Sequence, residues 1–191
     1  MDDLAYENMD LGEMMIQAGS LVDAIDAATK EVFETMLGTK LTDSKRAQSE
    51  DPAAAGVVSL VGLTGKWSGT GTFCCTPTTA RLVAVRMLML DETEAESQTI
   101  DDDVLDAVAE LTNMVVGNIK NLLAEEYGEM AISIPTVVYG RNFRFKSFAG
   151  TCEETCVFDW EGQQFFIKVC LAATHHNERV VPDRALAPAG D

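Results

Sequence analysis

The segment Val104–Glu125, VLDAVAELTNMVVGNIKNLLAE, constrains the chain more than any other. Val104, Val108, Leu111, Val115, Ile119 and Leu122 recur at steps of three or four, the period of a helix with one buried stripe. At about 100° per residue, Glu110 and Asn113 lie roughly 60° apart on the side opposite that stripe. Asp106 stands one turn before Glu110, and Gly117 one turn after Asn113. Asn is a mediocre helix former, and a glycine inside a helix costs roughly 1 kcal/mol relative to Ala. A bare patch of helix beside an outward amide gives both choices a purpose, because it lets another protein's surface come close. The same residues also fit an ordinary solvated helix face, and periodicity alone does not separate the two.

The rest of the chain supplies a sheet for this helix to pack on. Ser20 reads as the N-cap of an earlier helix through Leu37, with Leu21, Ile25, Thr29, Val32, Phe33 and Met36 as its stripe and Gly38 as its end. Thr42 to Ala55 reads as a loop or an exposed strand edge. VVSLVGLTGKWSGTGTFCC, residues 57–75, carries two β-rich runs around Gly65-Lys66, a hairpin pattern. Trp67 stands where a phosphate loop needs Ser or Thr, so these glycines serve turns and strand packing. Thr76-Pro77 opens a shorter helix to about Leu90. After an acidic connection, Thr99 and Asp102 form a capping arrangement for the long helix, with Asp101–Asp103 at its positive end. AISIPTVVYG, FRFKSF, ETCVFDW and QQFFIKVCLA then read as strands, the last two joined at Glu161-Gly162. Pro135 marks an edge or bulge.

The expectation is an α+β domain: a largely antiparallel sheet packed with two long helices. VDAIDAATKEVFETMLG and LDAVAELTNMVVGNI share a faint similarity 83 positions apart, which makes the fold a helix-strand pseudo-repeat. In that register Ala27 and Lys30 replace Glu110 and Asn113. One domain spans residues 20–174, between an acidic arm (1–19) and a flexible tail (175–191).

Charge excludes several partners. With 14 Lys and Arg against 31 Asp and Glu the formal charge is −17, which opposes binding to nucleic acid or an anionic membrane. MDDLAYENMD has no basic, apolar leader pattern, and no apolar run approaches a membrane span, so a cytoplasmic protein is expected. Cys74, Cys75, Cys152, Cys156 and Cys170 are odd in number and suit reduced thiols. TCEETC lacks a second ligand pair, so no metal site is expected, and His175-His176 open the polar tail.

From Leu21 to Ala172 the order of segments resembles the CheX branch of the CheC, CheX and FliY family of chemotaxis phosphatases. The resemblance rests on ATKEVFETMLG, the VVSLVGLTG and SGTGTFCC hairpin, DAVAELTNMVVGNIKNLL and IPTVVYG. The family's Glu-x-x-Asn signature, followed by a small residue, matches Glu110-Leu111-Thr112-Asn113 with Gly117. CheC-like members usually carry two such motifs and this chain carries one, which favours CheX. The resemblance implies hydrolysis of the aspartyl phosphate on a CheY-like response regulator by a cytoplasmic homodimer. It makes Asn113 the residue that positions the attacking water and Glu110 a contact to a partner lysine, with Mg2+ held by the partner and no cofactor here. Asp106 and Gly117 are candidate partner contacts. Two other functions compete: a non-catalytic module that binds a regulator or motor-switch component, and an enzyme with Cys74 or Cys75 as nucleophile. No base stands near either cysteine in sequence.

Overall fold

The computed structural model describes residues 18–47, 55–90, 99–141 and 152–174. The N-terminal arm to residue 17, the strand expected at FRFKSF, His175-His176 and the tail lie outside the described residues.

Alternation builds the sheet. In β2 (Ala55–Gly65), Val57, Ser59, Val61 and Leu63 point to one side, and Val58 and Leu60 to the other. β3 (Trp67–Cys75) returns antiparallel beside it, and β7 (Gln163–Ala173) pairs with β3 over its full length. β6 (Cys152–Trp160) pairs with β7, and the two-residue β1 (Lys45–Arg46) closes that edge against β6. The β6–β7 turn is tight because Glu161 and Gly162 both adopt positive φ, 49° and 76°.

The opposite edge departs from expectation. AISIPTVVYG is two short strands, β4 (Met130–Ile132) and β5 (Thr136–Arg141), laid end to end along β2. Ile132 pairs with Leu63 but Thr136 with Leu60, so three residues of this edge stand opposite two of β2. Ser133 keeps the ladder, donating its N–H to Gly62 O at 2.9 Å, which leaves Ile134 and Pro135 opposite Val61 as a bulge. Pro135 has no N–H to donate and so sits at an edge.

The helices α1 (Ala18–Met36), α2 (Pro77–Met87) and α3 (Asp102–Tyr127) share one core cluster with Val57, Val61, Phe73, Phe165 and Ile167, which places all three on the same side of the sheet. The α+β expectation of two long helices on an antiparallel sheet holds, with α2 as the short third helix. α1 and α3 pack against each other, and α3 also packs on α2. Gly71 of β3 lets α3 lie close on the sheet: a Cβ there would meet Val116 Cγ2 at 2.4 Å.

Four readings of helix ends and stripes need correction. Ser20 lies inside α1, which begins at Ala18, and Met36 is exposed. The α3 cap is Asp101, whose Oδ1 accepts from Val104 N at 3.1 Å, and not Thr99. Aspartate at that position meets an orphan N–H and the positive helix end together. Asp101→Ala is therefore expected to lower unfolding free energy by about 1 kcal/mol in a urea titration. In α3, Leu123 at 3% exposure replaces Leu122 at 52% in the buried stripe, because the covered face in the last turns continues from Val116 and Ile119, seven and four residues earlier.

Candidate functional site

α3 is fixed on three sides, by α1, by α2 and by the sheet, and its remaining side carries the polar pair. Leu111, Thr112, Val115 and Val116 are buried around it. Thr112 is satisfied within the helix, donating Oγ1–H to Val108 O at 2.7 Å. Glu110 and Asp106 are exposed, and Asn113 and Gly117 are half-buried. Glu110 and Asn113 make no hydrogen bond or ion pair with any other described residue. The nearby amide of Asn118 differs, donating to Glu31 Oε2 at 3.3 Å and so tying α3 to α1. A carboxylate and a carboxamide thus stand ready on one rigid helix face with their bonding capacity open.

Gly117 continues the same face. A Cβ there would sit 3.8 Å from Ile132 Cδ1, an ordinary contact, so packing within the chain does not demand glycine. The contrast with Gly71 is direct, since that glycine is dictated by Val116. Asp102, Asp103, Asp106 and Glu110 are all exposed and give the first half of α3 an acidic surface.

The corresponding face of α1 is occupied by its own chain. Lys30 Nζ lies 2.7 Å from Asp26 Oδ2 and 2.6 Å from Asp43 Oδ1, and Asp26 Oδ1 accepts from Ser44 N at 2.9 Å. Burial pushes the Asp26 carboxyl up, but bonds from Lys30 and Ser44 outweigh it and hold it below its ordinary value. Only α3 presents an uncommitted polar pair at this register.

The cysteine alternative loses its basis. Cys74 and Cys75 are buried and outside any disulfide, and burial pushes the Cys75 thiol well up, with neighbouring Cys74 adding to it. Burial also raises Cys156 to about 11. Thiols so shifted are protonated and poor nucleophiles at neutral pH. Among the described residues no group of three or more His, Cys, Asp or Glu is placed to hold a metal ion, and no helix is long and apolar enough to cross a membrane. A cleft of about 250 Å³ opens between the end of α2 and the start of α3, lined by Arg81, Val85, Leu88, Leu90 and Asp103. It lies at the first turn of α3, roughly 15 Å along the axis from Asn113 at 1.5 Å per residue, and is separate from the polar pair.

Sequence comparison points the same way. The family model described as Chemotaxis phosphatase CheX matches residues 57–159, which include most of β2 and all of β3, α2 and α3. The CheY-P phosphatase CheX of Thermotoga maritima is 28% identical over 129 residues, 67% of this chain and 81% of that protein. The solved structure of chemotaxis protein CheX from Vibrio vulnificus superposes with a TM-score of 0.68 at 25% identity, covering 80% of this chain and 99% of that one. A CheX-CheY-BeF3-Mg2+ complex from Borrelia burgdorferi shares the fold at a TM-score of 0.65 and 21% identity, covering 79% and 97%.

Proposed function

The chain belongs to the chemotaxis phosphatase CheX family, and from that premise we propose that it hydrolyses the aspartyl phosphate of a CheY-like response regulator, with Asn113 positioning the attacking water. The observation that carries this reading is the open pair Glu110 and Asn113 on one exposed face of α3, with Gly117 beside it.

The chemistry follows from what phosphoryl transfer needs. The transition state spreads charge over the equatorial oxygens and requires an in-line nucleophile, so a protein accelerates it chiefly by positioning. A carboxamide can accept a hydrogen bond from water and donate another, whereas a carboxylate there would repel the phosphoryl oxygens. Asn113 therefore orients the water. Glu110, one turn earlier, fixes the register by pairing with a lysine of the regulator, and Asp106 extends that acidic contact. The regulator holds Mg2+, which supplies charge neutralisation at the phosphoryl group. Half of the active site comes from each protein. The protein acts in the cytoplasm as a homodimer whose folded unit is residues 20–174, and it carries no cofactor.

The test is release of inorganic phosphate from a purified CheY-like regulator kept phosphorylated by a small phosphodonor in Mg2+. Acceleration by catalytic amounts of the protein supports hydrolysis. Binding without acceleration establishes the competing reading, a non-catalytic regulator or motor-switch module.

Gly117 gives a separate expectation. Ala fits at that position and removes a helix-interior glycine, so Gly117→Ala should raise unfolding free energy by roughly 1 kcal/mol. The added methyl should also hold the regulator off the helix and raise KM for the phosphorylated regulator several-fold. Denaturation and steady-state kinetics on the same preparation check both effects. A stabilised variant with unchanged KM would show that nothing approaches the helix there.

A further inference from the structure

The bulge on the β4–β5 edge gives the α3 site an apolar neighbour. Ile134 is 86% exposed and stands on the bulge of this edge. Its position is fixed: Ser133 donates N–H to Gly62 O and accepts from Gly62 N, each at 2.9 Å, and Pro135 follows with its restricted φ. Ile134 and Pro135 stand opposite Val61, whose side chain belongs to the core shared with the helices, so the bulge sits on the helix side of the sheet. Two residues earlier, Ile132 Cδ1 lies within contact distance of a Cβ built at Gly117. α3 thus presents only hydrogen beside Ile132, Ile134 follows two residues on along the same edge, and Asn113 lies one helical turn before Gly117.

Resting on the function proposed above, we propose that the edge from Ile132 to Ile134 forms with the bare helix at Gly117 a notch that is a second docking point for the regulator, and that Ile134 sets its affinity and selectivity without touching the phosphoryl group. A specific interface covers about 800 Å² on each partner, a disc of roughly 16 Å radius. Centred on Asn113, such a footprint passes over Gly117 and Ile132 and reaches the bulge. The acidic first half of α3 and the exposed Ile134 together ask for a regulator surface that carries both basic residues and an apolar side chain around the phosphoaspartate. An apolar anchor beside a polar centre is a common source of binding energy at interfaces.

The test uses the full chain with Ile134→Asp and Ile134→Leu, in phosphatase assays and in direct titrations of a regulator activated with beryllofluoride and Mg2+. Ile134→Asp should raise KM and Kd at least tenfold while kcat stays within twofold, and Ile134→Leu should restore both constants. Sedimentation should show the same oligomeric state for all three proteins. Unchanged KM and Kd in Ile134→Asp would overturn the proposal, and a changed oligomeric state with unchanged Kd would assign the notch to a second copy of this chain. If the wild type accelerates nothing, the hydrolytic reading falls, and the titrations still decide whether the notch binds the regulator.

Discussion

Asn113→Ala is expected to reduce kcat for dephosphorylation by at least 10² to 10³, with KM for the phosphorylated regulator changed less than threefold. Loss of one oriented polar group at a reacting centre typically removes about 2.7–4 kcal/mol of transition-state stabilisation, which sets that range. The split between constants matters because the proposed function has Asn113 act on the water while Glu110 and Gly117 meet the partner's surface. The side chain is half-buried and makes no bond within the described part of its own chain, so the fold should survive its removal. Unfolding titrations of both proteins check that point. Wild-type kcat in the variant would remove Asn113 from the mechanism.

The second large effect concerns the core that holds α1, and through it α3, on the sheet. Phe165 is fully buried, with ring centroids 4.8 Å from Phe33, 5.2 Å from Phe73 and 5.1 Å from Phe158. One ring thus joins α1, β3, β6 and β7. Phe165→Ala should cost about 3–5 kcal/mol of unfolding free energy, a large part of the 5–15 kcal/mol typical of a domain. The midpoint of a urea transition at unchanged slope measures it. A loss below about 1 kcal/mol would mean that the surroundings collapse into the space and that the ring cluster does not organise the core.

The placement of the candidate site residues was readable from sequence because a helix writes its faces in a fixed period. Glu110, Asn113, Asp106 and Gly117 fall where the α3 pattern predicts. The hairpin and the Glu161-Gly162 turn were equally legible, since their conformations favour particular residues. Boundaries were less so: Thr99 and Asp101 are both good caps, and only the path of the preceding chain selects Asp101. Pro135 announced an edge or bulge, but not that Ile132 would lie against Gly117 or that Ile134 would be left exposed, because both depend on the register of β4 and β5 against β2. Lys30 illustrates the same limit. Its sequence position signals a lost polar pair, while its ties to Asp26 and Asp43 arise only when the segment after α1 folds back.

Those ties also explain why one face is open for a partner and its counterpart is not. A helix surface engaged by its own chain offers no free donors or acceptors, whereas α3 keeps Glu110 and Asn113 uncommitted over a rigid, three-sided support. Positioning is what phosphoryl chemistry rewards, and rigidity of the element is how positioning is achieved.

The most direct measurement is a single-turnover decay of a phosphorylated CheY-like regulator in Mg2+, followed with buffer, with the wild-type protein and with Asn113→Ala at equal concentration. The account predicts rapid decay with the wild type alone and near-buffer decay with the variant. Equal decay in all three, with the regulator shown to bind, would contradict it and leave a binding protein in place of a phosphatase.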